Sequence, residues 1–149
     1  MRKARVLLDT NILISGLIFK KGNEHRILRL IEERQITPIL PETVMMESRR
    51  VLAEKFPGFE KLLDLFLERT EFESIPLNNI LPILETYVGK LRDAKDTPIY
   101  AAIATAKPDY AVTGDQTLRS DLSRSPQTGS TRACSAKEFL DEFEKRANM

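Results

Sequence analysis

Short apolar runs alternate with helix-patterned stretches along the whole chain, and nothing else in the sequence constrains the fold as tightly. Residues 5–8 (R-V-L-L) form the first strand candidate. A helix is predicted from about Asn23, where Ile27, Leu28, Leu30 and Ile31 recur at helical spacing. Residues 36–40 read as a weaker strand, because Pro38 cannot donate to a ladder. Pro41 and Glu42 open a helix that runs to about Phe56, and Pro57-Gly58 breaks it. Phe59, Leu62, Leu63 and Phe66 give the i, i+3, i+4, i+7 pattern of an amphipathic helix, expected to be mainly core. Residues 72–77 are a strand candidate. Ile80, Ile83, Leu84, Tyr87 and Leu91 mark the next helix, with Pro82 in its first turn, and Ile99, Ala102, Ile103 and Ala106 mark another that starts near Pro98. Residues 110–113 make a short strand ending at Gly114-Asp115. The Ser-, Pro-, Gly- and Thr-rich residues 123–131 read as a loop. Residues 132–134 form a last strand, and Ser135 with Glu138 fits a capping box that opens a helix holding Phe139, Leu140 and Phe143. Strands alternating with helices imply an α/β domain, its mainly parallel sheet covered on both sides.

Composition limits what this scaffold can do. At 149 residues and 42% hydrophobic, the chain suits one domain, 1–149, with a real core. No run of about 18 apolar residues exists, so no membrane span is expected, and the apolar run after the basic N-terminus is too short for a signal peptide. A cytoplasmic protein is the expectation. Cys134 is the only cysteine, which excludes an internal disulfide and a thiolate zinc cluster; a small buried or half-buried thiol is expected there. Formal charge is +1, which does not mark a nucleic-acid binder, although local basic patches can surround an acidic site. No G-x-x-x-x-G-K-S loop is present, which argues against an NTPase, and the lone His25 supports no Ser-His-Asp set.

The chemistry appears when acids are placed on the scaffold. Asp9 follows the first strand and Asp115 follows the strand of residues 110–113, so both fall at the carboxyl edge where open α/β sheets bind ligands. Connecting helices begin at that same edge, and Asp96 immediately precedes one of them. Glu47 lies three residues after Val44 and four before Val51, on or beside the stripe that faces the core, in the early turns of its helix. Asp9, Glu47, Asp96 and Asp115 can therefore converge. Four neighbouring carboxylates repel one another and demand either protons or a cation. Oxygen donors without His or Cys favour Mg²⁺ or Mn²⁺. Such a site can activate a water and stabilise charge on a phosphoryl oxygen, and the reaction class implied is phosphodiester hydrolysis. Aspartates at strand ends also cap helices, so the convergence of all four carries the reading.

The motifs around these acids resemble the PIN-domain ribonucleases. L-L-D-T-N-I-L-I-S at residues 7–15 resembles their opening motif, and E-S-R-R-V-L at residues 47–52 the segment of their second acid. D-A-K-D-T-P-I-Y-A-A-I-A at residues 93–104 and P-D-Y-A-V-T-G-D at residues 108–115 resemble the segments of the third and fourth, and S-A-K-E-F-L the usual ending. The resemblance spans nearly the whole chain. It implies a three-layer α/β/α fold on a parallel five-stranded sheet, with Asp9, Glu47, Asp96 and Asp115 as catalytic metal ligands for Mg²⁺ or Mn²⁺. Asn11 matches a polar position beside the first acid, and Thr113 the hydroxyl position two before the last. Many small members are VapC-type toxins of toxin–antitoxin pairs, which implies an RNA substrate, a homodimer and a cognate antitoxin. Asp93, one helical turn before Asp96, competes for the third role. Gln116 and Thr117 stand where many relatives carry a further acid.

Other residues invite blander readings. His25, at the margin of an apolar face, suits a solvated or capping role. Lys20 and Lys21 suit solvated lysines better than RNA contacts. Arg49 and Arg50 offer phosphate contact or surface ion pairing in equal measure, and Arg119 and Arg124 could flank a substrate groove. Two alternative functions remain at this point. One is a non-catalytic PIN-like module that binds RNA or protein. The other is a signalling receiver domain, which would need Lys137 as its functional lysine.

Overall fold

The computed structural model describes residues 2–87 and 94–148. Five strands, β1 (Arg5–Leu8), β2 (Thr37–Pro41), β3 (Glu73–Ile75), β4 (Tyr110–Val112) and β5 (Arg132–Cys134), form one sheet in the order β3-β2-β1-β4-β5. Every pairing is parallel. The expected central parallel five-stranded sheet is thus observed. Its order differs from the 2-1-3-4-5 order of receiver domains. Lys137 pairs with Asp141 on a helix surface, at 3.5 Å, so the receiver reading is set aside.

The side-chain period of two explains how so small a sheet fills two cores. Val6, Leu8, Tyr110, Val112 and Cys134 point to one face; Leu7, Ile39, Ala111 and Ala133 point to the other. The first face is covered by α1 (Thr10–Ile18), α2 (Asn23–Glu32), α3 (Glu42–Lys55), α4 (Glu60–Arg69) and α9 (Ala136–Ala147). The second is covered by α5 (Leu77–Ile80), α7 (Thr97–Ala106) and α8 (Gln116–Arg124), with α6 (Leu84–Tyr87) packed at its side. Leu7, Leu8, Leu13, Ile39, Leu52 and Leu63 are completely enclosed. Each such side chain contributes ~1.5–3 kcal/mol.

Pro38 sits inside β2, paired with Val6, without harm to the sheet. The Thr37 N–H donates to Ala4 on the β1 side, so the alternation of the ladder turns the Pro38 nitrogen toward β3. Pairing with β3 begins only at Ile39, so no bond is lost there.

The structure departs from the sequence expectation at several places. Helices α1 and α8 were not predicted. The helix expected from Ile80 is broken into α5, a 3₁₀ turn (Leu81–Ile83) and α6, because Pro82 lacks the N–H that would continue an α-helical ladder; Leu91 lies outside the described residues. The strand expected over residues 72–77 shrinks to β3. Ser123 and Arg124 belong to α8, not to the loop that follows. The stripe on α4 is split as well: Leu63 and Phe66 are buried, whereas Phe59 and Leu62 are exposed. Among the described residues no helix is long and apolar enough to cross a membrane.

Candidate active site

The strand order reverses between β1 and β4, and a reversal of this kind opens a crevice at the carboxyl ends of the strands. Asp9 follows β1 and Asp115 closely follows β4, so the chain places an acid on each lip of that crevice. Both also begin helices. Asp9 caps α1, its Oδ1 accepting from the Thr10 N–H at 2.6 Å, and Asp115 caps α8, its Oδ1 accepting from the Leu118 N–H at 3.1 Å. Capping and site roles coexist in one side chain, because each cap bond leaves lone pairs on the carboxylate unused.

Thr113 links the two acids. Its hydroxyl donates to Asp9 Oδ2 at 2.7 Å and accepts from the Asp115 N–H at 3.1 Å, and the residue is 1% exposed. Arg119 donates from Nη1 to the Thr113 carbonyl at 2.8 Å, bracing the turn between β4 and α8. Burial pushes the Asp9 carboxyl above its ordinary value, and the charges of Glu47 and Asp115 push the same way; the bonds from Thr113 and Thr10 oppose them. The structure therefore holds Asp9 where negative charge is unwelcome.

Glu47 is exposed on α3, beside the buried Val44 and Ser48. Asp96 ends a 3₁₀ turn (Ala94–Asp96) directly before α7 and is half-buried. Asp9, Glu47, Asp96 and Asp115 all line one open cleft of about 370 Å³, together with Thr10, Asn11, Thr43, Arg50 and Lys95. Asn11 thus lines the same cleft as the four acids. Asp93 lies outside the described residues. The donors are all oxygen, which suits a hard divalent cation and not a thiolate or imidazole metal. Among the described residues no three His, Cys, Asp or Glu side chains stand close enough to hold an ion as they lie. The acids share a cleft without closing into a cage.

Several charged residues take positions the sequence left open. Arg49 pairs with Asp64 on α4 at 2.6 Å, whereas Arg50 lines the cleft while contacting Glu54 at 3.2 Å. Arg119 turns inward to Thr113, and Arg124 pairs with Asp121 at 2.9 Å, so neither takes the substrate-flanking role considered for it. Lys95 was not singled out, although its place next to Asp96 carried the signal. His25 Nδ1 lies 2.9 Å from the Gly16 carbonyl near the end of α1, the second of the solvated or capping roles expected of it.

An acid-lined cleft at the switch point of a small parallel sheet defines a class of α/β protein, and the sequence match names the family. The PIN domain family matches residues 5–117, and the chain belongs to it. Three solved structures share the fold. VapBC2 from Rickettsia felis, bound to a DNA fragment from its promoter, is 17% identical with a TM-score of 0.63, over 88% of this chain and 98% of that one. PAE2754 from Pyrobaculum aerophilum is 16% identical with a TM-score of 0.58, over 95% and 96%. FitAcB from Neisseria gonorrhoeae is 21% identical with a TM-score of 0.50, over 87% and 95%. Comparison with curated protein sequences yields no match.

Proposed function

We propose that this PIN-domain protein is a divalent-metal-dependent endoribonuclease that hydrolyses RNA phosphodiester bonds. The observation that carries the proposal is the shared cleft of Asp9, Glu47, Asp96 and Asp115, with the half-buried Asp9 destabilised as an anion by its surroundings. These four carboxylates would hold Mg²⁺ or Mn²⁺. When bound, the ion supplies charge neutralisation and a water of lowered pKa. The remaining work falls to the chain. Thr113 and the Thr10 N–H fix the orientation of Asp9. Arg119 keeps Thr113 and Asp115 in register through the turn. Arg50 and Lys95, on the cleft wall, supply positive charge for flanking phosphates without reading sequence.

The VapC-type resemblance of the sequence, together with the fold shared with VapBC2, supports a toxin of a toxin–antitoxin pair, working in the cytoplasm as a homodimer under a cognate antitoxin. The test is cleavage of RNA by purified protein. Activity that needs Mg²⁺ or Mn²⁺, stops with EDTA and is blocked by the product of an adjacent short reading frame supports the nuclease, metal and antitoxin parts of the proposal. The open spacing of the acids favours a second reading, a PIN-like module that binds RNA or a partner protein without cutting. RNA binding with no calorimetric metal uptake would select that reading.

A further inference from the structure

The amino edge of the sheet, opposite the acid cleft, opens into a second cavity of about 640 Å³. Its volume lies within the ~300–1,000 Å³ of small-molecule sites. Tyr110, the first residue of β4, packs edge-on against Phe139 with ring centroids 5.1 Å apart, and Phe139 stacks on Phe143 at 6.1 Å. These rings, with the half-buried Phe143 outermost, make an aromatic floor. The rim is cationic. The Arg146 guanidinium lies over the Tyr110 ring, 5.5 Å from its centroid, and Lys3 stands on the same rim.

The charge around this cavity is not balanced. Asp109 accepts two bonds from Arg2, at 2.8 and 2.9 Å, Glu144 pairs with Arg26, and Glu142 accepts from Arg132 at 3.1 Å. Among the described residues neither Lys3 nor Arg146 has a carboxylate partner. A guanidinium held over a ring by its charge keeps N–H groups available for an anion. An apolar, aromatic cavity with two uncommitted cations at its mouth selects a ligand with a flat ring and a negative group.

We infer that this cavity binds a small aromatic anion, its ring against Phe143 and Tyr110 and its phosphate or carboxylate between Lys3 and Arg146. The inference does not depend on the nuclease reading. The test is calorimetric titration of the full chain with adenosine 5′-monophosphate and, separately, with indole-3-acetate. Saturable one-to-one binding of either supports the inference, and the tighter of the two tells a nucleotide from an aryl carboxylate. Adenosine and ribose 5-phosphate, each lacking half of the chemistry, should bind at least about tenfold more weakly than the monophosphate. Arg146→Glu and Lys3→Glu, both exposed and expected to leave the fold intact, should each weaken binding by about tenfold or more. Asp9→Asn should leave this binding unchanged, whatever it does to RNA cleavage. No saturable binding of either probe at millimolar concentration would overturn the inference. So would Arg146→Glu binding as wild type does, or loss of binding in Asp9→Asn, which would put the ligand in the acid cleft.

Discussion

Asp9 shows how a single residue reconciles fold and chemistry. Its backbone N–H donates to Val112 at 3.1 Å, its side chain begins α1, and its second oxygen is held by Thr113. Thr113→Val keeps the volume but leaves that oxygen without its buried donor. It should cost ~1–3 kcal/mol in urea unfolding, whereas Thr113→Ser should recover most of the loss. Equal stability of the Val and wild-type proteins would show that the bond contributes nothing. Cys134 makes a simpler case. It is fully buried, and burial among apolar neighbours pushes its thiol up to about 12. Only the thiolate reacts, so a disulfide reagent at pH 8 should label it on unfolding and not before. Asp9 and Asp115 were legible in the sequence as acids placed after strands. Their hydrogen bonds were not, because which hydroxyl reaches a carboxylate depends on side-chain directions that spacing alone does not give.

At the scale of elements, the sequence was legible wherever one face of a helix is apolar and the other polar. It was not legible for α1 or α8, for opposite reasons. In α1, Thr10, Ile12, Leu13, Ile14 and Gly16 are all buried, so no polar stripe gives the helix a period. In α8 only Leu118 and Leu122 are buried, too few to stand out from a polar run, and the visible cue was the cap at Asp115. Helix α1 also depends on a close approach. A Cβ on Gly16 would lie 2.7 Å from Leu28 Cγ and Cδ1 and 3.0 Å from the Glu24 carbonyl. Gly16→Val should separate α1 from α2 and cost ~1–3 kcal/mol, read as a lower midpoint in denaturant. An unchanged midpoint would mean that this crossing is looser than it looks.

For the whole molecule, the strand order does most to decide function. The reversal between β1 and β4 turns four acids, distant in sequence, into the lining of one cleft, and sequence reading could place them only at an edge, not in a shared volume. The far edge of the sheet is tied differently. Arg2 holds the Asp109 carboxyl below its ordinary value, chiefly through their hydrogen bonds, and the Arg5 N–H adds to the effect. A depressed carboxyl stabilises the fold above its unfolded value near 3.8 and loses that contribution as pH falls through the lower folded one. Asp109→Asn should therefore lower stability at neutral pH and flatten the acid limb below about pH 4, the two proteins converging at the lowest pH. An acid limb identical to wild type would contradict this assignment.

The most direct test of the account compares RNA cleavage by the wild-type protein with that by Asp9→Asn and Asp96→Asn in Mg²⁺ or Mn²⁺, alongside their unfolding curves. Outer partners of metal ligands typically cost ~10–100-fold when changed, so loss of a ligand itself should cost more than about a hundredfold. Both variants should show that loss with the fold retained. Cleavage by both at the wild-type rate, or wild-type cleavage that persists in EDTA, would contradict the account.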